Sequence, residues 1–202
     1  TVYERPEQLD AIIVSHLHQD HFLDLFPLYY YLKYEARITK PVRVYAPTGA
    51  AERLGCLLGP GGASRLRDML DIVDIEPGSI EIGDLKVAFA EVKHIKPTYG
   101  VVVTDGDRTL AYSSDTGYSE TLLALANQAS VFLCEATLTE AQTGIDHLTA
   151  GEAGRIAFEA SAGKLVLTHV WPSLDPENSR LVAEEYFVGE VALAEDGEKL
   201  VI

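Results

Sequence analysis

A histidine-rich motif, Ser15-His16-Leu17-His18-Gln19-Asp20-His21, follows directly on the apolar run Ala11-Ile12-Ile13-Val14 and is the segment most informative about the fold. Three imidazoles and a carboxylate this close together indicate a metal site, because neutral histidine is the commonest metal ligand near neutral pH. In an extended segment His16 and His18 point to the same side. A turn at Gln19 then presents Asp20 and His21 to a second point close by. We therefore predict ligands for two adjacent metal ions, rather than a histidine-rich surface loop that binds metal adventitiously.

Length and composition are those of a globular protein. The chain has 202 residues, 47% of them hydrophobic and 23% charged, which fits one domain with a sizeable core. The net charge of -15 repels polyanions unless a local basic patch overrides it. No apolar run is long enough to span a membrane. Cys56 and Cys134 lie beside no histidine, so we expect two small buried hydrophobes in a reducing compartment, which favours the cytoplasm.

Apolar periodicity and turn residues predict a mixed α/β chain without repeats or linkers. We expect the following strands, by residue number: 11–14, 42–46, 72–76, 80–82, 85–93, 99–104, 109–113, 131–135, 164–168, 191–193 and 199–202. Helices are expected from about Pro27, from a cap at Thr48 to near Gly59, and over 63–70, 119–128, 149–162 and 175–187. The Thr149 helix opens with a capping box and the Asp175 helix with a cap residue followed by proline.

The motif H-x-H-x-D-H after a buried strand resembles the signature of the metallo-β-lactamase fold hydrolases, and His16, His18, Asp20 and His21 all match it. The resemblance covers nearly the whole chain, from Leu9 to the last predicted strand. It implies an α/β fold of four layers, an αββα sandwich formed by a single domain over 1–202. Because the family places a first β-hairpin region ahead of the signature, we expect this chain to lack the amino-terminal strands of the sandwich.

The resemblance also implies the other metal ligands. A lone histidine at a strand end or an Asp-Thr-Gly turn has no function by itself, but His94, Asp115 and His169 follow predicted strands where the family has ligands. In the family pattern His16, His18 and His94 hold one metal, Asp20, His21 and His169 hold the other, and Asp115 bridges them. Such a pair of ions activates a shared water and stabilises the attacked centre. Nitrogen and oxygen ligands favour two Zn2+ ions, with Mn2+ or Fe as alternatives.

The sixth histidine, His147, lies in a segment that resembles the His-Ser-Thr-type loop of the phosphodiesterase branch, particularly ribonuclease Z, the tRNA 3′-end nuclease. In that branch the histidine contacts the scissile phosphate or helps to protonate the leaving oxygen. Leu148 departs from the pattern, since the branch has a small hydroxyl residue there. The alternative is a histidine that merely starts its own helix. Glu135 also resembles the branch, either as a carboxylate that orients His147 or as a structural hydrogen-bond acceptor.

The leading hypothesis is a dinuclear metal-dependent hydrolase, a phosphodiesterase for a small phosphodiester such as a cyclic nucleotide, with Asp20, Glu135 and His147 as catalytic side chains. RNA 3′-end processing ranks lower, because of the charge and because only two strands and a turn separate His94 from Asp115, where ribonuclease Z carries its tRNA-gripping arm. Hydrolysis of a carboxylic ester or lactone is a third hypothesis. A metal-binding regulatory protein is the non-enzyme alternative, although no ligand is lost. We expect no membrane partner, and the resemblance is compatible with a homodimer.

Overall fold

The computed structural model describes residues 5–95, 97–200 and 202, and the chain divides into two compact units, 1–76 and 77–202. The mixed α/β class predicted from the sequence is confirmed in both units. The single domain over the whole chain stays a prediction. Within the described ranges, every helix is too short or too polar to cross a membrane.

The first unit contains a parallel three-stranded sheet of order β1-β2-β3, namely β1 (Ile12–Ile13), β2 (Val42–Ala46) and β3 (Leu70–Asp74). Its helices are α1 (Leu25–Tyr30), which continues as one π-helical stretch (Tyr31–Glu35), α2 (Ala50–Leu57) and α3 (Gly62–Arg67). Inward-facing residues of β2 and leucines of all three helices share one buried cluster. The alternating burial along β2 is the pattern expected of a strand with one covered face.

Three local predictions in the first unit are wrong. Helix α2 begins after Gly49, whose φ of 83° is left-handed, and no side chain caps it, so Thr48 is not the cap. Residues 68–70 do not extend α3, because Leu70 already pairs with Val42 in the sheet. Cys56 is exposed rather than buried, because it lies on the outer side of α2.

The second unit contains a seven-stranded sheet of order β10-β9-β8-β7-β6-β5-β4. Strands β4 to β7 are antiparallel neighbours, and β7 to β10 are parallel. The strands are β4 (Gly78–Ile82), β5 (Leu85–Glu91), β6 (Tyr99–Thr104), β7 (Thr109–Tyr112), β8 (Val131–Glu135), β9 (Lys164–Thr168) and β10 (Glu190–Leu193), and the helices are α4 (Glu120–Ala126), α5 (Ala150–Glu159) and α6 (Pro176–Glu184).

The core of the second unit lies between the parallel strands and the three helices, with Phe132, Ile156 and Leu165 fully buried. Cys134 is buried there as predicted, and its burial raises the pKa of the thiol well above the usual value. The predicted strand over residues 199–202 is wrong for Lys199, Leu200 and Ile202, and Val201 lies outside the described residues.

Both predicted helix starts in this unit are confirmed. Thr149 accepts a hydrogen bond from the Glu152 amide while the Glu152 carboxylate accepts one from the Thr149 amide, which completes the capping box of α5. The Asp175 side chain caps α6 ahead of Pro176. The cap of α5 at Thr149 fixes the backbone two residues after His147 and so restricts the positions open to the His147 side chain.

Candidate functional site

The direction of the strands brings several predicted site residues of the second unit to one edge of its sheet. Strands β7, β8 and β9 run parallel, and β5 runs in the same direction because it is separated from β7 by the antiparallel β6. Their carboxyl ends therefore meet at one edge, which is where ligands bind in open α/β sheets. The residues at or just beyond these four ends are His94, Asp115, Glu135 and His169.

Asp115, His147 and His169 form a compact cluster at this edge. Their potential ligand atoms all lie within 4.8 Å of one another. Asp115 is buried, with Oδ1 3.7 Å from His169 Nδ1, and the His147 and His169 rings are nearly parallel with centroids 5.8 Å apart. His94 adjoins the cluster, since its ring centroid lies 4.9 Å from that of His147. One carboxylate among imidazoles is a donor set that suits a divalent transition metal.

Glu135, at the end of β8, is a buried carboxylate that accepts four hydrogen bonds. Oε1 accepts from the Thr116 amide at 2.6 Å and contacts His147 Nδ1 at 2.8 Å. Oε2 accepts from the amides of Thr137 and Leu148, at 3.3 and 3.2 Å. The carboxylate thus joins the turn that carries Asp115 to the loop that carries His147, and its contacts are compatible with either predicted role, structural acceptor or orienting group.

The contact with Glu135 defines the state of the His147 ring. Because a carboxylate is an acceptor, Nδ1 carries the proton that it receives, and Nε2 is the nitrogen left for other chemistry. The hydrogen bond to Glu135 raises the pKa of His147 above its usual value, and this effect exceeds the lowering caused by partial burial. His147 therefore holds a second proton, on Nε2, to a higher pH than a solvent-exposed histidine does.

His94 is oriented by a backbone carbonyl. Its Nδ1 lies 3.0 Å from the Asp146 oxygen, and a carbonyl can only accept, so Nδ1 is the protonated nitrogen and Nε2 carries the lone pair. The neighbouring Lys93 forms an ion pair with the Asp146 carboxylate at 3.0 Å. The Lys93 amide donates to the Thr116 hydroxyl at 3.2 Å, and the Lys93 backbone oxygen accepts from the Gly117 amide at 2.8 Å, which ties the His94 loop to the turn that carries Asp115.

Two residues at this edge have left-handed backbones, Ser114 at φ 57° and His169 at φ 54°. Such conformations cost non-glycine residues roughly 1–3 kcal/mol and cluster at functional sites. Ser114 directly precedes Asp115. The Thr137 hydroxyl contacts His169 twice, at 2.7 Å from Nδ1 and 3.1 Å from the backbone oxygen. The Thr137 hydroxyl thus holds His169 in place against a local backbone cost.

In the first unit the signature has the local geometry that its sequence predicts. His16 is fully buried, and its Nε2 lies 3.2 Å from His18 Nδ1. Its other nitrogen, Nδ1, lies 3.2 Å from Ser15 Oγ. His16 Nε2 and His18 Nδ1 face each other in an extended segment. When neither nitrogen carries a proton, both lone pairs point to a common position.

The turn after His18 is confirmed as a single 3-10 turn over Gln19–His21. It returns the His21 ring to His16, with centroids 4.1 Å apart. Asp20 Oδ2 lies 3.5 Å from His21 Nε2, and the Asp20 side chain is 65% exposed. The turn therefore gathers all three histidines of the signature and leaves the Asp20 carboxylate accessible to a ligand.

Sequence reasoning missed the residues that orient the candidate ligands. Ser15 and Thr137 act through small hydroxyl groups that have no distinguishing pattern, and Asp146 acts on His94 through its backbone oxygen. The sequence signal that could have identified Thr137 is its position two residues after Glu135, just beyond a strand end. The structure describes every predicted site residue. Within each unit, the predicted site residues lie close to one another.

Comparison with known proteins places the chain in a family. The family model described as beta-lactamase superfamily domain matches residues 2–170 of the sequence. The uncharacterised protein ML1173 of Mycobacterium leprae is 36% identical over 199 residues, which cover 93% of this chain and 68% of that protein. Ribonuclease Z of Thermobifida fusca is 32% identical over 196 residues, 93% of this chain but only 53% of the nuclease.

The fold is confirmed by a solved relative. The crystal structure of YhfI from Bacillus subtilis, a metallo-β-lactamase fold protein, matches with a TM-score of 0.85 at 28% identity and covers 98% of this chain and 79% of YhfI. YhfI is also described as a probable metallo-hydrolase. The His/Asp cluster of the second unit fits divalent metal binding, as expected of such a protein. The chain therefore belongs to the beta-lactamase superfamily, has the metallo-β-lactamase fold and is related to metal-dependent hydrolases.

Proposed function

We propose that the protein is a dinuclear metal phosphodiesterase that hydrolyses a small phosphodiester of the nucleotide class. The observation that carries this proposal is the contact of buried Glu135 with His147, 2.8 Å long, beside the cluster of Asp115 and His169. An oriented imidazole of raised pKa is a proton donor for a poor leaving group. A phosphodiester with an alkoxide leaving group needs such a donor, whereas an ester that releases a stabilised phenolate does not.

The donor set fits two divalent ions. The proposed ligands are nitrogen and carboxylate oxygen atoms, which suit Zn2+ and are compatible with Mn2+ or Fe. His94 presents Nε2 as a lone pair because Nδ1 donates to a carbonyl, as is usual for metal-binding histidines. We assign His16, His18 and His94 to one ion and Asp20, His21 and His169 to the other, with Asp115 shared, on the family pattern.

When bound, the ions would supply an activated water at neutral pH and charge stabilisation at phosphorus. The remaining work falls to side chains of this chain. Glu135 holds Nδ1 of His147, so that Nε2 is directed away from the carboxylate and can deliver its proton to the departing oxygen. Accessible Asp20 can accept a hydrogen bond from the attacking water. Burial of Asp115 excludes bulk solvent from the shared carboxylate.

Charge and topology favour a small substrate over RNA. The net charge of -15 opposes a polyanion. From Pro97 to Ser114 the chain consists of β6, the four-residue turn 105–108 and β7, with no inserted arm in this described interval. Because the chain is 32% identical in sequence to a ribonuclease Z, RNA 3′-end processing is the second candidate. Ester or lactone hydrolysis and a metal-binding regulatory role remain behind it, and a cytoplasmic location and a homodimer stay predictions.

A substrate panel tests the choice between a small diester and RNA. We expect turnover of cyclic nucleotides and bis(p-nitrophenyl) phosphate to exceed cleavage of a tRNA precursor by at least about tenfold, measured with added Zn2+ or Mn2+. Raising the salt from 50 to 200 mM should change the small-diester rate by less than about twofold, because few phosphate contacts are made. Efficient cleavage of the precursor that falls steeply with salt would instead favour RNA processing.

Exposed aromatic side chains beside the cluster favour a substrate with a nucleobase. Tyr118 follows Asp115 by three residues and is 42% exposed, and Trp171 follows His169 by two and is 57% exposed. Base–aromatic stacking contributes roughly 1–3 kcal/mol. Each ring lies within three residues of a candidate ligand in the sequence, and we propose that the two rings contact the organic part of a diester whose phosphate lies at the cluster.

Trp171 is the only tryptophan, so its fluorescence reports on this contact directly. We expect a nucleoside monophosphate to quench the emission, while inorganic phosphate at equal concentration does not. Trp171→Leu should raise KM for a cyclic nucleotide by roughly 5- to 100-fold with a smaller change in kcat, as expected from lost stacking. Phe158→Leu, at an equally exposed ring on α5, is the matched control. Unchanged emission together with an unchanged KM would exclude the stacking role.

A further inference from the structure

We infer that Thr137 is a positioning residue that fixes both the ring tautomer and the backbone of His169, so that this histidine presents Nε2 to a divalent cation. The inference rests on the proposed function only in taking His169 as a metal ligand. Its basis is a single oxygen atom with two contacts on one residue. Thr137 Oγ1 lies 2.7 Å from His169 Nδ1 and 3.1 Å from His169 O.

Proton counting gives the direction of these two hydrogen bonds. The Thr137 hydroxyl has one proton, and the backbone oxygen of His169 can only accept. The arrangement that gives each contact its own proton has the hydroxyl donate to the backbone oxygen and accept from Nδ1 of the ring. The ring is then protonated on Nδ1, and a neutral imidazole in this tautomer carries its lone pair on Nε2. This is the arrangement that the Asp146 oxygen imposes on His94.

The same hydroxyl holds an unfavourable backbone. His169, directly after β9, has φ 54°. Non-glycine residues seldom adopt this left-handed conformation. Thr137 is itself fixed, since it is buried and its amide donates to Glu135 Oε2. The hydrogen bond from its hydroxyl to His169 O therefore anchors the left-handed residue to the end of β8. Loss of the hydroxyl should loosen the ligand while the strands themselves remain paired.

Metal affinity separates this role from a purely structural one. We expect Thr137→Val, which keeps the shape and removes the hydroxyl, to weaken Zn2+ binding roughly 10- to 100-fold, the usual effect of losing a group that orients a ligand. Affinity is measured on metal-free protein by competition with a chromophoric chelator. Thr137→Ser should restore it to within about threefold of wild type. Thr139→Val, at an exposed threonine two residues further on, is the matched control and should have no effect.

The ring tautomer can be read on the unmodified protein, so the inference is testable even if a variant fails to fold. In metal-free wild type, long-range nitrogen–proton NMR correlations should show His169 protonated on Nδ1. Protonation on Nε2 instead, or a Thr137→Val protein that binds Zn2+ as tightly as wild type, would overturn the positioning role. Wild type that binds no Zn2+ would contradict the proposed function, while the tautomer measurement would still decide what Thr137 does.

Discussion

Replacing His16 with alanine is expected to remove bound metal and to lower hydrolysis of every diester together, by roughly 10³-fold or more. His16 is fully buried at the centre of the signature, 3.2 Å from His18 and with its ring 4.1 Å from that of His21. Elemental analysis should return close to two ions per chain for wild type and fewer for the variant.

A matched control distinguishes ligand loss from a cavity. Val14 is as deeply buried two residues earlier, so Val14→Ala removes core volume without removing a nitrogen. It should lower the melting temperature while leaving metal content and turnover nearly intact. A wild-type stoichiometry of one ion, together with Asp20 and His169 variants that keep full metal content and activity, would contradict the dinuclear assignment.

Replacing His147 with alanine should leave metal content and thermal stability nearly unchanged and reduce turnover of a diester with a poor leaving group by roughly 10²–10⁴-fold, the range for a lost general acid. The reason is the contact with Glu135, which engages Nδ1 and leaves Nε2 for proton delivery. A diester that releases p-nitrophenolate needs little protonation and should be affected much less. Steady-state kinetics on both substrates measures the difference.

The outcome also decides among the alternatives for this histidine. Loss of metal from His147→Ala would make the ring a ligand, which its place in the cluster with Asp115 and His169 allows. Equal loss on both substrates would favour phosphate binding over proton donation. No effect on either substrate would leave a histidine that only starts α5. Glu140→Ala, at an exposed carboxylate of the same connection, is the control for nonspecific effects.

The sequence predicted those parts of the molecule that depend on local pattern. The turn at Gln19, the strands β2, β6, β8 and β9 and the capping box at Thr149 all follow from side-chain periodicity or from short-range hydrogen bonds. The candidate ligands His94, Asp115 and His169 were predicted from the family resemblance, and the strand directions explain why they lie at one edge of the second sheet. Their individual roles remain predictions that the variants above test.

What could not be predicted depends on contacts between distant segments or on backbone shape. Close approach of α2 and α3 is the clearest example, since a methyl group at Gly62 would clash with the Gly55 oxygen. Cys56 is exposed because of the orientation of α2. The sequence of an eight-residue helix does not predict that orientation. Thr137 was missed because its importance comes from two atoms of His169, 32 residues away.

The direction of the strands has a practical consequence for engineering. Asp115 lies beyond the carboxyl end of β7, whereas the turn 105–108 joins the carboxyl end of β6 to the amino end of β7, at the opposite edge of the sheet. Exposed turns tolerate inserted sequence better than paired strands do. A foreign loop or an affinity tag can thus be grafted at 105–108 while the geometry around Asp115 is retained, whereas one added residue inside β8 would change the register that places Glu135.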